Sequence, residues 1–365
     1  MATKFLLMAA VVCLAVVAWL WQRYLRIVVN LFLGVVVRST PDDEQALDGE
    51  EVTLLTPDGV QLAATVARPA LADAREEGGR PVFDPEAQTR REPVAPACWR
   101  APRGDGGGQL PPVVVFCHEF GADRRSAGPY VSGFQKMGFA VLAFDFRGHG
   151  DSRNTDDYVP RQWATDRELT DLETVVAYVR GREDLDGSRV VLFGVSRGGV
   201  VATVFAAQAP LGRPTIPAVI VDGIFSTRRT LLEYMHRWVS IFADVRVIYS
   251  RLPEWIFRMY EKLTLLVSEL RLGVRFLSLE EAVRVRRCPL LMIHGEADTY
   301  IDVAHARWLY EQAAGPKELW IVPEARHNQA VTVAGKLYHE RILEFLSPIL
   351  PASRPTSVPA TSNPR

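Results

Sequence analysis

Short, continuous apolar runs alternate with segments of helical periodicity along most of the chain. Val113–Cys117, Ala140–Phe144, Arg189–Phe193, Ala218–Asp222, Pro289–His294 and Glu318–Val322 are runs of this kind. Unbroken apolar stretches of this length are expected of strands buried on both faces. Between them, 127–137, 166–179, 199–208, 303–313 and 331–346 read as helices. In the second of these, Leu169, Leu172, Val175, Val176 and Val179 recur at helical spacing. Upstream, two alternating segments flank Pro57-Asp58-Gly59, which predicts a hairpin. Strands alternating with helices imply a largely parallel sheet covered on both faces, an α/β fold. Right-handed crossovers bring the C-terminal strand ends to one edge, where open α/β sheets bind their ligands.

Four segments depart from this rhythm. Phe5 to Trp21 is an uncharged apolar run after Lys4, at the short end of the ~17–25 residues that cross a bilayer. Gln22, Arg23 and Arg26 interrupt it, Ile27 to Val37 resumes it, and Trp19, Trp21 and Tyr24 mark the boundary. Residues 1–38 are expected to form a single-pass N-terminal membrane anchor. No small-residue cleavage pattern follows the run, which argues against a removed signal peptide. A helix buried in the globular domain is the remaining alternative. Arg23, Arg26 and Arg38 follow the run, so the positive-inside rule points to a cytoplasmic catalytic domain. The main domain is expected over 50–348. Within it, 70–110 is rich in Pro, Gly, Arg and Glu and reads as a loop insertion. Residues 226–287 carry helical, aromatic-rich sequence and read as an inserted cap. Residues 349–365, rich in Pro, Ser and Thr, read as a disordered tail.

Composition narrows the function classes. The chain of 365 residues is 48% hydrophobic and 23% charged, with a formal net charge of −1. That is a globular composition, and without a basic run it gives no footing for a nucleic-acid partner. The four cysteines, Cys13, Cys98, Cys117 and Cys288, form no C-x-x-C pair, which excludes zinc-ribbon and thioredoxin motifs. Cys117 and Cys288 are expected to be small buried hydrophobes. No metal or cofactor is expected.

The candidate chemistry lies at the predicted strand ends. Gly194-Val195-Ser196-Arg197-Gly198 follows one strand and opens one helix. The bare pattern arises by chance in about one chain of this length in ten. Its strand–turn–helix context is what a nucleophile elbow needs. A serine hydroxyl needs a base to take its proton. His327 follows the last strand and is the candidate, and Asp298, after the fifth strand, is the acid that would orient it. Asp222, at the end of the fourth strand, is the alternative acid. Asp302 is expected to cap the next helix. His118 and His149 are expected to pack within loops, while His305 and His339 are expected on helix surfaces. An acyl-transfer site also needs donors for an oxyanion. The main-chain N–H groups of Arg197 and Phe120 are the candidates. Glu119 would bring a charge to that loop, which pairing with Arg197 would offset.

His118-Glu119-Phe120-Gly121, Asp145 to Ser152, Gly194 to Gly199, Gly295 to Asp298 and His327 together resemble the α/β-hydrolase superfamily, in its esterase, lipase and serine-aminopeptidase-like branch. The resemblance spans roughly 52–346, apart from the insertion and the cap. It implies an α/β-hydrolase fold with a helical cap, and Asp145 to Ser152 as a structural turn. In that family the loop after the first buried strand commonly reads His-Gly, where this chain has Glu119. The activity expected is hydrolysis of carboxylic esters, with thioesters and amides as variants. The substrate would be a small acyl ester, lipid-like if the cap and anchor act together. Its identity, and the residues that bind it, are not readable. Peptidase or acyltransferase activity on the same triad, and a non-catalytic membrane-tethered binding protein, stay open as alternatives.

Overall fold

The computed structural model describes residues 2–35, 46–69, 110–208, 216–242 and 252–350. Eight strands form one sheet: β1 (Glu50–Leu55), β2 (Gln61–Ala67), β3 (Val113–Cys117), β4 (Ala140–Phe144), β5 (Val190–Val195), β6 (Val219–Asp222), β7 (Leu290–Gly295) and β8 (Lys317–Val322). Their spatial order is β1-β2-β4-β3-β5-β6-β7-β8. The β1–β2 and β2–β4 pairs are antiparallel and every later pair is parallel. The hairpin between β1 and β2 closes through Thr56 N–H to Val60 O at 2.9 Å, with Gly59 at φ 84°. An L-residue with a side chain rarely adopts that dihedral.

All residues of β3 and β4 are buried, because helices cover both faces. One face carries α3 (Asp166–Gly181), α4 (Arg197–Ala207) and α8 (Val303–Gln312). The other carries α2 (Ala127–Lys136), α9 (Ala330–Ala334) and α10 (Lys336–Leu346). Side chains along each strand alternate between the two clusters, so Val113, Val115 and Cys117 join one and Val114 and Phe116 the other. That alternation is the period-2 geometry of a strand. The sheet is mixed, with helices on both sides, and the fold is that of an α/β-hydrolase.

Between β6 and β7 lie α5 (Thr227–Phe242), α6 (Glu254–Leu272) and α7 (Leu279–Val285), across the 226–287 segment expected to form a cap. Its aromatics are mostly internal packing, the ordinary use of such side chains. Tyr234, Trp238, Phe257 and Tyr260 belong to one apolar cluster with Phe32, Trp163 and Phe225. Trp255 is exposed, and Tyr249 lies outside the described residues. So do 70–109 of the expected insertion, 351–365 of the expected tail, and Cys98.

The N-terminal expectation is corrected. Among the described residues no helix is long and apolar enough to cross a membrane. The anchor over 1–38, the single-pass membrane placement and the cytoplasmic orientation drawn from it are withdrawn, and 36–38 lie outside the described residues. The helix itself, α1 (Ala2–Gly34), forms. Gln22, Arg23, Arg26 and Asn30 break its apolar surface, and its last turns pack on protein. Val29 and Phe32 are fully buried. Phe32 stacks on Trp163 with ring centroids 4.6 Å apart, and Trp163 Nε1–H donates to Phe32 O at 2.9 Å. Arg161 Nη1 donates to Leu33 O at 2.6 Å, and Arg271 Nη1 to the Asn30 side-chain oxygen at 3.3 Å. An apolar run reads alike whether lipid or protein covers it. Trp163→Phe keeps the stacked ring and deletes the buried donor. It is expected to cost about 1–2 kcal/mol and to lower the thermal midpoint by about 3–5 °C, checked by calorimetry. No change would mean that water replaces the bond.

Candidate active site

Ser196 sits between β5 and α4 at φ 49°, ψ −116°, a strained conformation for a residue with a side chain. Its main-chain N–H donates to Asp222 O at 2.7 Å. The flanking glycines are demanded by contact rather than by dihedral. A Cβ on Gly194 would lie 2.5 Å from Gly199 Cα, and one on Gly198 would lie 2.2 Å from Cys117 O. The first turn of α4 therefore lies directly against the end of β3 and its following loop. As the first residue of α4, Arg197 has a main-chain N–H with no intrahelical acceptor.

The loop after β8 delivers His327. Glu324 and Asn328 adopt φ 60° and 56°, and the loop is pinned to the loop after β7 by Ala297 N–H to Ala325 O at 2.9 Å. His327 Nε2 lies 3.1 Å from Ser196 Oγ, and His327 Nδ1 lies 2.6 Å from Asp298 Oδ2. The other Asp298 oxygen accepts from Tyr300 N–H at 2.8 Å and Ile301 N–H at 2.9 Å. All three triad candidates are buried: Ser196 is 2% exposed, His327 4% and Asp298 7%. Burial pushes the Asp298 carboxyl up. The hydrogen bond and charge of His327 outweigh it, with help from Ile301 N–H and His294, and the carboxyl lies below its ordinary range.

Asp222, weighed as the alternative acid, accepts from Tyr338 O–H at 2.8 Å instead. Burial raises its carboxyl to about 7, against the lowering pull of that bond. Asp302 caps α8 by accepting from Ala304 N–H at 2.7 Å. His118 donates from Nδ1 to Glu119 O at 2.6 Å and accepts Phe146 N–H on Nε2 at 3.0 Å. Both of its nitrogens are thus occupied within the loops. Burial, then the neighbouring His149 and Arg197, hold it well below the ordinary histidine range. The segment from Asp145 is a bracket. Asp145 accepts from Arg124 N–H at 2.6 Å and Asp151 N–H at 2.8 Å, and Ser152 Oγ donates to Asp145 O at 2.7 Å.

Several neighbours escaped the sequence reading. His294 donates from Nε2 to Ile301 O at 2.9 Å and lies 3.6 Å from Asp298 Oδ2. Its i, i+4 spacing from the acid was the available signal. His305 is fully buried rather than on a helix surface, because it accepts Ser226 N–H on Nε2 at 2.9 Å where the chain enters α5. Arg197 does not pair with Glu119. Its guanidinium meets Glu168 at 3.4 Å, while Glu119 is buried with neither carboxyl oxygen hydrogen-bonded. Cys117 is buried, and Cys288 half-buried. A cavity of about 330 Å³ lies between α5 and α6, but Ser196, Asp298 and His327 do not line it.

Residues 109–330 match the family described as serine aminopeptidase, S33. The uncharacterized protein YfhR of Escherichia coli O157:H7 is 29% identical over 235 residues, 64% of this chain and 69% of its own. The uncharacterized protein YqkD of Bacillus subtilis is 28% identical over 240 residues, 65% of this chain and 71% of its own. Among solved structures, the Pyrococcus furiosus esterase Pf2001 superposes with a TM-score of 0.55 at 21% identity, covering 86% of this chain and 95% of that one. A hypothetical protein, PA2218 of Pseudomonas aeruginosa, gives 0.52 at 20% identity, covering 87% and 99%. The chain belongs to the serine aminopeptidase S33 family of α/β-hydrolases.

Proposed function

We propose that the chain is a serine hydrolase that cleaves carboxylic esters through Ser196, His327 and Asp298. What carries this reading is the continuous relay from Ser196 Oγ to His327 Nε2 at 3.1 Å and from His327 Nδ1 to Asp298 Oδ2 at 2.6 Å. Ser196 Oγ attacks the ester carbonyl while His327 Nε2 takes its proton. Asp298 stabilises the resulting imidazolium and holds the ring with Nε2 facing the serine. The tetrahedral oxyanion is received by the main-chain N–H groups of Arg197 and Phe120. Collapse expels the alcohol, which takes the proton from His327 and leaves Ser196 acylated. Water, activated by the same imidazole, then releases the acid.

An ester substrate is favoured over other acyl compounds by two likenesses of fold: to the Pyrococcus furiosus esterase Pf2001 and to Est1E of Butyrivibrio proteoclasticus, solved with ferulic acid bound. Cleavage of peptides on the same triad is the second reading, favoured by the description of the family itself. A panel of acyl esters of graded chain length, run beside aminoacyl amides, separates the two. A fluorophosphonate probe tests the nucleophile. The full chain is expected to label stoichiometrically, and Ser196→Ala not at all. A folded full-length protein that fails to label would sink the proposal.

A further inference from the structure

The residue after the candidate nucleophile carries a guanidinium that has no solvent contact. Arg197 is 0% exposed at its side chain. Its Nη1 donates to Arg161 O at 2.9 Å, and its Nη2 meets His149 Nε2 at 3.4 Å. His149 donates from Nδ1 to Arg147 O at 3.0 Å, so its Nε2 is free to accept from Arg197. The guanidinium carbon lies 5.2 Å from the Phe120 ring centroid and 5.5 Å from that of Phe146. Both distances are within cation–π range. The Phe120 ring also meets His149 edge-on at 5.6 Å.

Phe120 and Arg197 are the two residues whose main-chain N–H groups would form the oxyanion hole. They lie on separate elements, the loop after β3 and the start of α4, joined through one side chain. We infer that the Arg197 side chain is a positioning residue that holds the Phe120 loop in register with the nucleophile elbow. This rests on the serine-hydrolase reading above.

Stability alone does not explain a cation here. Burying a guanidinium is costly unless its donors are met, and Arg197 Nε has no hydrogen-bond partner. Glu168 does not need it either. Its carboxylate already accepts Thr165 N–H at 2.9 Å, Thr165 O–H at 2.7 Å and the Tyr158 hydroxyl, and its 3.4 Å contact with Arg197 is the longest of the set. The far side of the clamp is also fixed. Arg161, whose carbonyl receives Arg197, is tied by its own side chain to Leu33 O at the end of α1.

Arg197→Met removes the charge and the fork but keeps the main-chain N–H and most of the volume. Deleting one oxyanion donor outright lowers kcat about 10²–10³-fold. Displacing one is expected to lower it about 10–100-fold, with KM within about threefold of the parent. Affinity for a boronic acid, which mimics the tetrahedral intermediate, should fall by the same factor as kcat. Arg197→Lys, which keeps a cation over the Phe120 ring, should recover part of both. Phe120→Leu takes away the ring and leaves the N–H. It should reproduce the loss in kcat, and the Arg197→Met/Phe120→Leu double variant should be no worse than the worse single one. If Arg197→Met fails to fold, the comparison of Phe120→Leu with Arg197→Lys decides. Unchanged kcat and boronate affinity in Phe120→Leu and in either folded Arg197 variant would overturn the inference. So would a rise in KM at constant kcat, which would make Arg197 a substrate-binding group. Ser196→Ala is run alongside. If it retains turnover, the serine-hydrolase reading has failed, whatever the Arg197 variants do.

Discussion

His327→Ala is expected to lower kcat/KM by about four orders of magnitude or more while leaving the thermal midpoint nearly where it was. The kinetic half follows from geometry. His327 is the only base within hydrogen-bond reach of Ser196 Oγ among the described residues, at 3.1 Å, and an unassisted serine hydroxyl is a poor nucleophile. The stability half follows from what the ring does not hold. The loop around it is fixed by main-chain bonds such as Glu296 N–H to Val322 O at 2.9 Å and Gln329 N–H to Arg326 O at 3.1 Å. Tyr130 O–H also donates to Asn328 O at 3.0 Å. Without the imidazole, Asp298 still accepts the Tyr300 and Ile301 N–H groups. Asp298→Asn keeps the shape, loses the charge and lets the imidazole adopt the wrong tautomer. It should cost about 10⁴-fold by the same logic. The check is steady-state kinetics on a short-chain ester together with calorimetry. A collapse of the midpoint with most of the activity retained would make His327 a structural residue.

Where the sequence was informative, the physics was local. A strand buried on both faces must be apolar at every position, so Val113–Cys117 and Ala140–Phe144 announce themselves without any knowledge of their neighbours. The Ser, Asp and His candidates are legible for a related reason. Each follows a recognisable strand, and parallel strands with right-handed crossovers end at one edge. Facts set by long-range packing were not legible. Nothing near Asp222 indicates that Tyr338, 116 residues away, would take its carboxylate. Nothing near His305 indicates that Ser226, 79 residues away, would bury it. The end of α1 shows the same limit most sharply, since Phe32 meets Trp163 across 131 residues of chain. Periodicity reports that a face is apolar, not what covers it.

Glu119 stands where the family commonly has glycine, and its surroundings turn it into a stability prediction. The carboxyl is fully buried, with Asp222, Ser126 and Asp123 around it. It also bears on Tyr130, whose hydroxyl it helps to push upward after burial itself. Burial raises Glu119 to about 8, and repulsion from Asp222 adds to this. In the unfolded chain the group ionises in the ordinary carboxylate range. Between those two values the folded state holds the extra proton, so this group's contribution to stability is complete at acid pH. It declines as pH rises, and is gone by about pH 8. Asp222, raised to about 7, adds a decline of the same sign. Glu119→Gln keeps the shape and cannot ionise. Its thermal midpoint should match the parent near pH 4.5, exceed it increasingly towards pH 8, and lead by several degrees there. Melts from pH 4.5 to 9 would show two curves with a common start, the parent's falling further below the variant's as pH rises to about 8. Parallel curves would mean that Glu119 is ionised in the fold at neutral pH. With its carboxyl raised to about 8, Glu119 is expected to be mostly protonated at neutral pH and to place little negative charge in the loop that would receive the oxyanion. Catalysis in the parent should therefore weaken above about pH 8 relative to Glu119→Gln, as that charge appears.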